Sequence, residues 1–244
     1  MADNRDALDE WRSIQCKLSR LFVHDLKNPI SALSANLNFL EASRLEDTED
    51  TREAITDSIL AAQMLLKLTD NFDMIALLES GETCQMTHVN TADFIRSAIR
   101  RNEGLAQSAG IRLIALEPLQ GVGQYWQNRY AELVLDNLIM SAIRHSPHNG
   151  EVFVSLAATA KEVSIFVRDQ GVAVAPEYVD GLFTRESQVR AKKSPGCRYG
   201  RGLGLYAVGL ALDVLGARVD IGEHEDMAEF TFVCPLNDPS AENQ

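Results

Sequence analysis

His24 has the sequence context of a residue that can carry a phosphoryl group. It lies in the segment LFVHDLKNPISAL, directly before Asp25 and one helical turn before Asn28. An imidazole nitrogen is a nucleophile toward phosphorus, and a neighbouring carboxylate can hold the other ring nitrogen in the reactive tautomer. A lone histidine on a helix is more often an ordinary surface or core residue. The interpretation therefore depends on motifs further along the chain.

The first of these motifs is a polar cluster in the segment LDNLIMSAIRHSP (135–147). Asn137 and Ser141 are four residues apart, so they share one face of a helix, and Arg144 lies near that face. An amide, a hydroxyl and a guanidinium on one face could hold a metal ion and phosphate oxygens. Taken alone, such a cluster is more often ordinary helix polarity.

Two glycine-containing segments follow that helix along the chain. In RDQGVAVAPE, Asp169 and Gly171 end a strand, where the acid can accept a hydrogen bond from an exocyclic amine and the glycine permits close approach of a ligand. In GRGLGLYAV, Gly200, Gly202 and Gly204 stand at alternate positions before a helix, which exposes backbone N–H groups to phosphate. Each segment alone is weak evidence for a ligand site, but the order of the three motifs along the chain strengthens that interpretation.

Two long amphipathic helices must position the histidine. Residues 8–43 carry apolar side chains at alternating steps of three and four, and residues 51–79 repeat that period. Pro29 lies inside the first pattern and is expected to kink or loosen the helix. A helical hairpin of this kind leaves wide apolar stripes exposed, so we predict that two copies pair into a four-helix bundle.

After Gly81 the pattern changes to mixed strands and helices. Helical periodicity predicts three further helices, and Thr91 is the predicted N-cap of the first. The predicted strands are 85–90, 111–116, 151–158, 162–168, 218–222 and 228–234, and the predicted helices are 91–109, 131–145 and 203–215. This mixture indicates a two-layer α+β fold. We therefore predict a helical hairpin domain over 1–80 and an α+β domain over 81–244.

Composition excludes several classes of function. The net charge of −12 argues against nucleic acid as the main partner. No apolar run approaches the roughly 20 residues that a membrane-spanning helix needs, and the N-terminus lacks the features of a secretory signal. We therefore expect a cytoplasmic protein without a membrane span.

The cysteines are scattered without metal-type spacing and are expected to be free thiols, at Cys16, Cys84, Cys197 and Cys234.

These motifs together resemble the transmitter core of bacterial sensor histidine kinases. HDLKNP resembles the phosphoacceptor box of that family, the segment from Asn137 its N box, DQG its first glycine box and GRGLGL its second. Phe183, in GLFTRE, resembles the phenylalanine box. The resemblance spans roughly residues 10–236 with the boxes in the family's order.

The resemblance implies a division of labour between the two predicted domains. The hairpin would dimerise and carry the phosphorylated His24, with Asp25 as general base, and the second domain would be a Bergerat-type ATP-binding fold. Asp169 would contact adenine, and Asn137 would help organise Mg²⁺. Asn28 would orient water for dephosphorylation of a response regulator.

The remaining positions that would correspond to the family's ATP site are Ser141, Arg144, Gly171, Gly200, Gly202 and Gly204. The phosphoryl group would pass to an aspartate on the receiver domain of a response regulator, and a separate upstream sensor or kinase would supply the signal.

The sequence departs from the family pattern at the metal–triphosphate end of the site. Ser141 stands where the family carries a second asparagine, and a hydroxyl is a shorter and weaker ligand for magnesium. His145 replaces an aromatic residue, Ala173 replaces a glycine, and Arg201 stands where a small residue is commoner. Phosphoryl transfer depends largely on charge neutralisation at that end.

Three functions remain open on the sequence. The first is an ATP-dependent histidine kinase, which the retained Asp169, Gly171 and glycine-rich loop favour. The second is a dimeric histidine phosphotransferase or response-regulator phosphatase with a degenerate ATP domain, which Ser141 favours. The third is a scaffold that only docks a response regulator. His24, Asp25 and Asn28 argue against the scaffold, which would need none of them.

Overall fold

The N-terminal part of the chain is an antiparallel helical hairpin. The computed structural model describes residues 2–43, 47–82, 84–179, 181–184 and 203–236. Helix α1 spans Ala2–Ala42 and α2 spans Glu49–Glu79. Thr48 caps α2 through a capping box with Thr51, which satisfies backbone donors at the start of the helix. Helix α1 is uninterrupted at Pro29, although the sequence predicted a kink or loosening there.

The apolar positions of the hairpin divide between its inside and its outside. Leu40 and Ala54 are buried, as expected for side chains between two packed helices. Val23, Ile30 and Leu37 are 49%, 50% and 53% exposed and recur every seven residues along α1. Ile59 and Leu66 have the same spacing on α2 and are 53% and 65% exposed. A heptad row of exposed apolar residues on each helix is typical of a surface that packs against further helices.

The remainder of the chain is an α+β unit. Its strands are β1 (Thr87–Asn90), β2 (Arg112–Ala115), β3 (Gly123–Trp126), β4 (Glu151–Ala158), β5 (Glu162–Asp169), β6 (Arg218–His224) and β7 (Met227–Pro235). Its helices are α3 (Thr91–Ser108), α4 (Asn128–His145), the single turn α5 (Pro176–Val179) and α6 (Gly204–Leu215).

The main sheet has the strand order β2-β4-β5-β7-β6, with β2 parallel to β4 and the other neighbours antiparallel. Strands β1 and β3 form a separate antiparallel pair. Alternate residues of β5 are buried, at Val163, Ile165 and Val167, so one face of the sheet packs against the core. The core continues into α3, α4 and α6, which gives the predicted two layers.

The structure confirms the predicted order of a helical hairpin followed by a two-layer α+β unit. Two short elements, β3 and α5, were not predicted from the sequence. The N-cap of α3 is Asn90 and not Thr91, because the Asn90 side chain accepts from the backbone N–H groups of Ala92 and Asp93 at 3.0 and 3.2 Å. The domain boundary at residue 80 and the pairing of two copies stay predictions. Within the described ranges, no helix is long and apolar enough to cross a membrane.

Candidate functional site

His24 lies on α1, and its side chain is outside the described part of the structure. Asp25 is half-buried and Asn28, one turn further on, is exposed. Two residues before the histidine, Phe22 stacks on Phe72 of α2 with ring centroids 4.1 Å apart. This stack fixes the two helices against each other next to the predicted phosphoacceptor.

Asp169 ends β5 with its carboxyl group fully buried, at 0% exposure. Its Oδ1 accepts a hydrogen bond from the backbone N–H of Gly171 at 2.7 Å, whereas its Oδ2 has no partner among the described residues. Burial raises the pKa of Asp169 to about 6, and the Gly171 N–H opposes that rise. A buried carboxylate oxygen without a donor is costly and is ready to accept from a ligand.

Gly171 lies where a side chain would not fit. A Cβ at this position would overlap the backbone oxygen of His145 and Oδ1 of Asp169. The glycine therefore allows the turn after β5 to approach the end of α4 closely. The sequence predicted this freedom of approach for a ligand, and in the structure the approach is to His145.

Asn137 is buried in the interface between α4 and α2. Its Oδ1 accepts from Nδ2 of Asn71 at 3.0 Å, and its Nδ2 donates to Oδ1 of Asn71 at 2.9 Å and to the backbone oxygen of Leu133 at 2.8 Å. The side chain is 2% exposed. In this arrangement Asn137 does not offer its oxygen to a metal ion, so its predicted magnesium role requires the pair with Asn71 to separate.

Ser141 and Arg144 occupy different environments on α4, although the sequence placed them together. The Ser141 hydroxyl is buried and lies 3.4 Å from Nδ1 of His145 on the next turn. Arg144 is exposed at the end of the helix. The structure therefore brings Ser141 close to Asn137 on the inner face and leaves Arg144 outside it.

The glycine-rich loop is described only at its end. Gly200 and Gly202 lie outside the described residues, and so does Arg201. Gly204 is the first residue of α6, and a Cβ there would overlap Oδ1 of Asn137. Phe183 is half-buried against the core, and its backbone oxygen packs closely against Gly209 of α6.

Asp136 is a central residue of the site that the sequence did not single out. It is 6% exposed, and its carboxylate accepts from Lys67 of α2 at 2.9 Å, from Arg101 twice at 3.1 Å, and from Asn102 at 3.0 Å. Two cations and an amide compensate its burial. The only signal in the sequence was a charged residue in an otherwise apolar stretch of α4, and its partners are too distant along the chain to be inferred.

The cysteines that can be placed agree with the prediction of free thiols. Cys84 and Cys234 are unpaired, and burial raises the pKa of Cys234 to about 11. The side chains of Cys16 and Cys197 are outside the described residues. Among the residues with described placement, no group of three or more His, Cys, Asp or Glu side chains could hold a metal ion.

The two ends of the predicted nucleotide site differ in how well they fit a nucleotide. The base end fits, because Asp169 presents a buried oxygen that an adenine amino group could satisfy. The metal end does not fit in this arrangement, because Asn71 occupies the Asn137 carboxamide and the Ser141 hydroxyl lies against His145.

Comparison with known families supports a nucleotide-binding domain. Residues 127–238 match the family described as histidine kinase-, DNA gyrase B- and HSP90-like ATPase. The matched region begins just before α4 and ends just after β7, so it contains Asn137, Ser141 and Asp169.

Curated relatives are sensor kinases. The sensor histidine kinase MtrB of Mycobacterium leprae is 26% identical over 231 residues, which cover 91% of this chain and 38% of MtrB. The adaptive-response sensory kinase SasA of Crocosphaera subtropica is 23% identical over 209 residues, which cover 83% of this chain and 54% of SasA. The chain therefore spans between about two fifths and about half of the length of these relatives.

Solved structures show the same fold. The Acinetobacter baumannii histidine kinase AdeS superposes with a TM-score of 0.59 at 20% identity, covering 88% of this chain and 98% of that one. The histidine kinase ThkA, solved in complex with the response regulator protein TrrA, superposes with a TM-score of 0.62 at 18% identity, covering 97% of this chain and 65% of that one. The second superposition includes nearly the whole chain, so it covers both the hairpin and the α+β unit.

Proposed function

Because this chain has the transmitter core of a sensor histidine kinase, we propose that it is a histidine kinase of a two-component system. His24 accepts the γ-phosphoryl group of ATP, with release of ADP, and passes that group to an aspartate on the receiver domain of a response regulator. The observation that carries the ATP-dependent form of this proposal is the buried Asp169, whose Oδ2 has no donor among the described residues.

The residues of this chain would act on nucleotide and phosphoryl group in separate places. Asp169 accepts from the amino group of adenine, and Gly171 keeps the turn beside it free of a side chain. Bound ATP supplies the phosphoryl group. Asp25 assists His24 as general base from the same helix, where a carboxylate can remove the proton or fix the tautomer of the imidazole. Asn28, exposed on the next turn, orients water toward the phosphorylated regulator.

The homodimer belongs to this proposal. The exposed heptad rows of α1 and α2 are the surface that a second copy would cover, because their side chains are large, apolar and exposed. We also propose that this core works in the cytoplasm, where a receiver-domain partner is available, and that a separate sensor or kinase supplies the input.

A second function is favoured by a specific observation. The Asn137 carboxamide is held by Asn71 and the Ser141 hydroxyl by His145, so the metal end of the ATP site is not arranged for catalysis. In this second candidate, the phosphoryl group reaches His24 from a phosphorylated receiver domain, or is removed from that domain, and ATP is not the donor.

Two phosphoryl donors distinguish the kinase from the phosphotransferase or phosphatase. The purified protein is incubated with γ-labelled ATP and Mg²⁺, and in parallel with a labelled phospho-receiver domain. Label on His24 from ATP supports the kinase, and label only from the receiver supports the phosphotransferase. A protein that accepts label from neither donor, and does not accelerate loss of label from the receiver, contradicts both.

A further inference from the structure

The amide groups of Asn71 and Asn137 form a closed pair between α2 and α4. Each side chain donates to and accepts from the other, at 2.9 and 3.0 Å, and the two residues are 1% and 2% exposed. Buried polar side chains are stable only when they are hydrogen-bonded, so each asparagine depends on the other. We call this pair the amide clasp.

The orientation of Asn137 in the clasp is fixed from its other side. The second hydrogen of its Nδ2 goes to the backbone oxygen of Leu133 at 2.8 Å. The amide nitrogen therefore faces its own helix, and Oδ1 faces Asn71. Oδ1 is the atom that a hard cation such as Mg²⁺ would need, because magnesium takes oxygen ligands.

The start of α6 packs against the clasp. A Cβ on Gly204 would overlap Oδ1 of Asn137 and would lie 3.2 Å from Nδ2 of Asn71. The glycine-rich segment thus ends on the amide pair, and the space beside Oδ1 is filled by protein. A metal ion could approach this oxygen only if the Asn71 side chain were removed or withdrawn from it.

Further polar contacts hold α2 against the α+β unit on both sides of Asn71. Lys67 pairs with Asp136 at 2.9 Å, and the Tyr206 hydroxyl of α6 donates to Glu79 at 2.7 Å. Phe72, the neighbour of Asn71, stacks on Phe22, which lies two residues before His24. The clasp is therefore part of a continuous contact that reaches from the metal end of the nucleotide site to the phosphoacceptor segment.

We propose that the amide clasp is an autoinhibitory contact: Asn71 withholds the Asn137 carboxamide from magnesium, so that metal-dependent nucleotide binding requires the clasp to open. This inference rests on the proposed nucleotide site and concerns its regulation. The hydrogen bond that Asp169 accepts comes from Gly171 and not from either asparagine, so the clasp withholds the metal ligand and not the base-binding carboxylate. Because the coupling is reciprocal, anything that separates α2 from α4 favours magnesium binding, and magnesium–nucleotide binding favours separation.

The test compares nucleotide binding with and without magnesium in three proteins. Titration calorimetry with a non-hydrolysable ATP analogue is performed on the natural chain, on Asn71→Ala and on Asp73→Ala. Asp73 forms an exposed ion pair with Arg129 at 3.0 Å, so its variant also loses a contact between α2 and α4 but leaves Asn137 held. Magnesium should raise the affinity of Asn71→Ala about tenfold more than it raises that of the natural chain or of Asp73→Ala. Equal magnesium effects in all three proteins would overturn the proposal.

A measurement on the natural chain covers the case in which Asn71→Ala does not fold. The side-chain amide protons of Asn71 and Asn137 are followed by NMR through exchange with solvent. They should be protected without ligand and with the metal-free analogue, and should shift and lose protection when the magnesium complex binds. Magnesium-dependent binding that leaves both amide signals unchanged would overturn the clasp.

Failure of the clasp and failure of the proposed function have different signatures. If His24 is labelled from either donor but magnesium affects Asn71→Ala no more than the natural chain, the clasp proposal is wrong and the proposed function stands. If magnesium raises the affinity of Asn71→Ala more than that of the natural chain but His24 is labelled from neither donor, the proposed function is wrong and the clasp proposal stands.

Discussion

Oδ1 of Asp169 accepts a hydrogen bond from the backbone N–H of Gly171 at 2.7 Å, while Oδ2 of the same carboxyl group is buried and has no donor within the described part of the chain. This asymmetry makes Asp169 a half-satisfied acceptor at the end of β5. Burial raises its pKa to about 6, which is close enough to neutrality to be tested by titration. The environment therefore keeps one oxygen ready for a donor and makes its charge sensitive to mild acid.

Adenine nucleotide binding should weaken as the pH falls through about 6, the pKa of Asp169. Protonation removes the carboxylate acceptor that an amino group needs, so the loss lies on the acid side of the pKa. Between pH 7.5 and pH 5 the ionised fraction falls about tenfold, and the affinity for ADP should fall by a similar factor. Calorimetry across this range measures it.

The control for this prediction is Asp169→Asn, in which the carbonyl oxygen can still accept but the side chain does not titrate. Its affinity should change little over the same pH range, apart from the change due to titration of the phosphates. The same tenfold loss in Asp169→Asn would show that another group is responsible.

Asp136→Ala should lower the free energy of unfolding by about 3 kcal/mol, because it leaves two cations and an amide without their shared carboxylate. Urea denaturation measures the loss. Glu132→Ala is the control, since it removes only the partly exposed pair with Arg101 at 3.2 Å and should cost less than about 1 kcal/mol. Similar losses in the two variants would argue against a central role for Asp136.

Ser141→Asn should strengthen binding of the magnesium–nucleotide complex by about tenfold, or about 1.4 kcal/mol. The longer amide supplies the carbonyl oxygen that the Ser141 hydroxyl, 3.4 Å from His145, does not. Ser141→Ala, which supplies no ligand, should not gain affinity. If the asparagine variant gains nothing by calorimetry, then other positions close the metal end of the pocket.

Leu37→Glu should convert a dimer into monomers, because it places a charge in the exposed apolar row of α1, where Leu37 is 53% exposed. Sedimentation at micromolar concentration gives the mass directly. Ala35→Glu adds the same charge at an exposed position outside the heptad row and should stay dimeric. A natural chain that sediments as a monomer would contradict the bundle.

Much of the fold follows from local patterns in the sequence. Strand β4 has the bounds predicted from its alternation, because one of its faces packs on the core and the other does not. The strand β3, at Gly123–Trp126, was missed because it is short and begins at a glycine, a residue type that is depleted in strands. Helix α1 continues through Pro29, since packing against α2 can outweigh a local break.

The site was less predictable than the fold. The contact between Asp169 and Gly171 could be expected because the two residues are close in sequence, and their role in nucleotide binding stays a prediction. The pairing of Asn71 with Asn137 joins residues 66 positions apart, and no local pattern marks such a contact. The sequence therefore predicted a metal-binding oxygen at Asn137 but not its hydrogen bond with Asn71. That hydrogen bond determines whether the oxygen is available to a metal ion.

The most direct test of the account asks whether His24 carries phosphate. The natural chain, His24→Ala and Asn28→Ala are incubated with γ-labelled ATP and Mg²⁺ or with a labelled phospho-receiver domain, and the label on the protein is tested for acid lability. We expect an acid-labile, base-stable label on the natural chain and on Asn28→Ala from at least one donor, and none on His24→Ala. Label retained by His24→Ala would contradict the assignment of His24 as the phosphoacceptor.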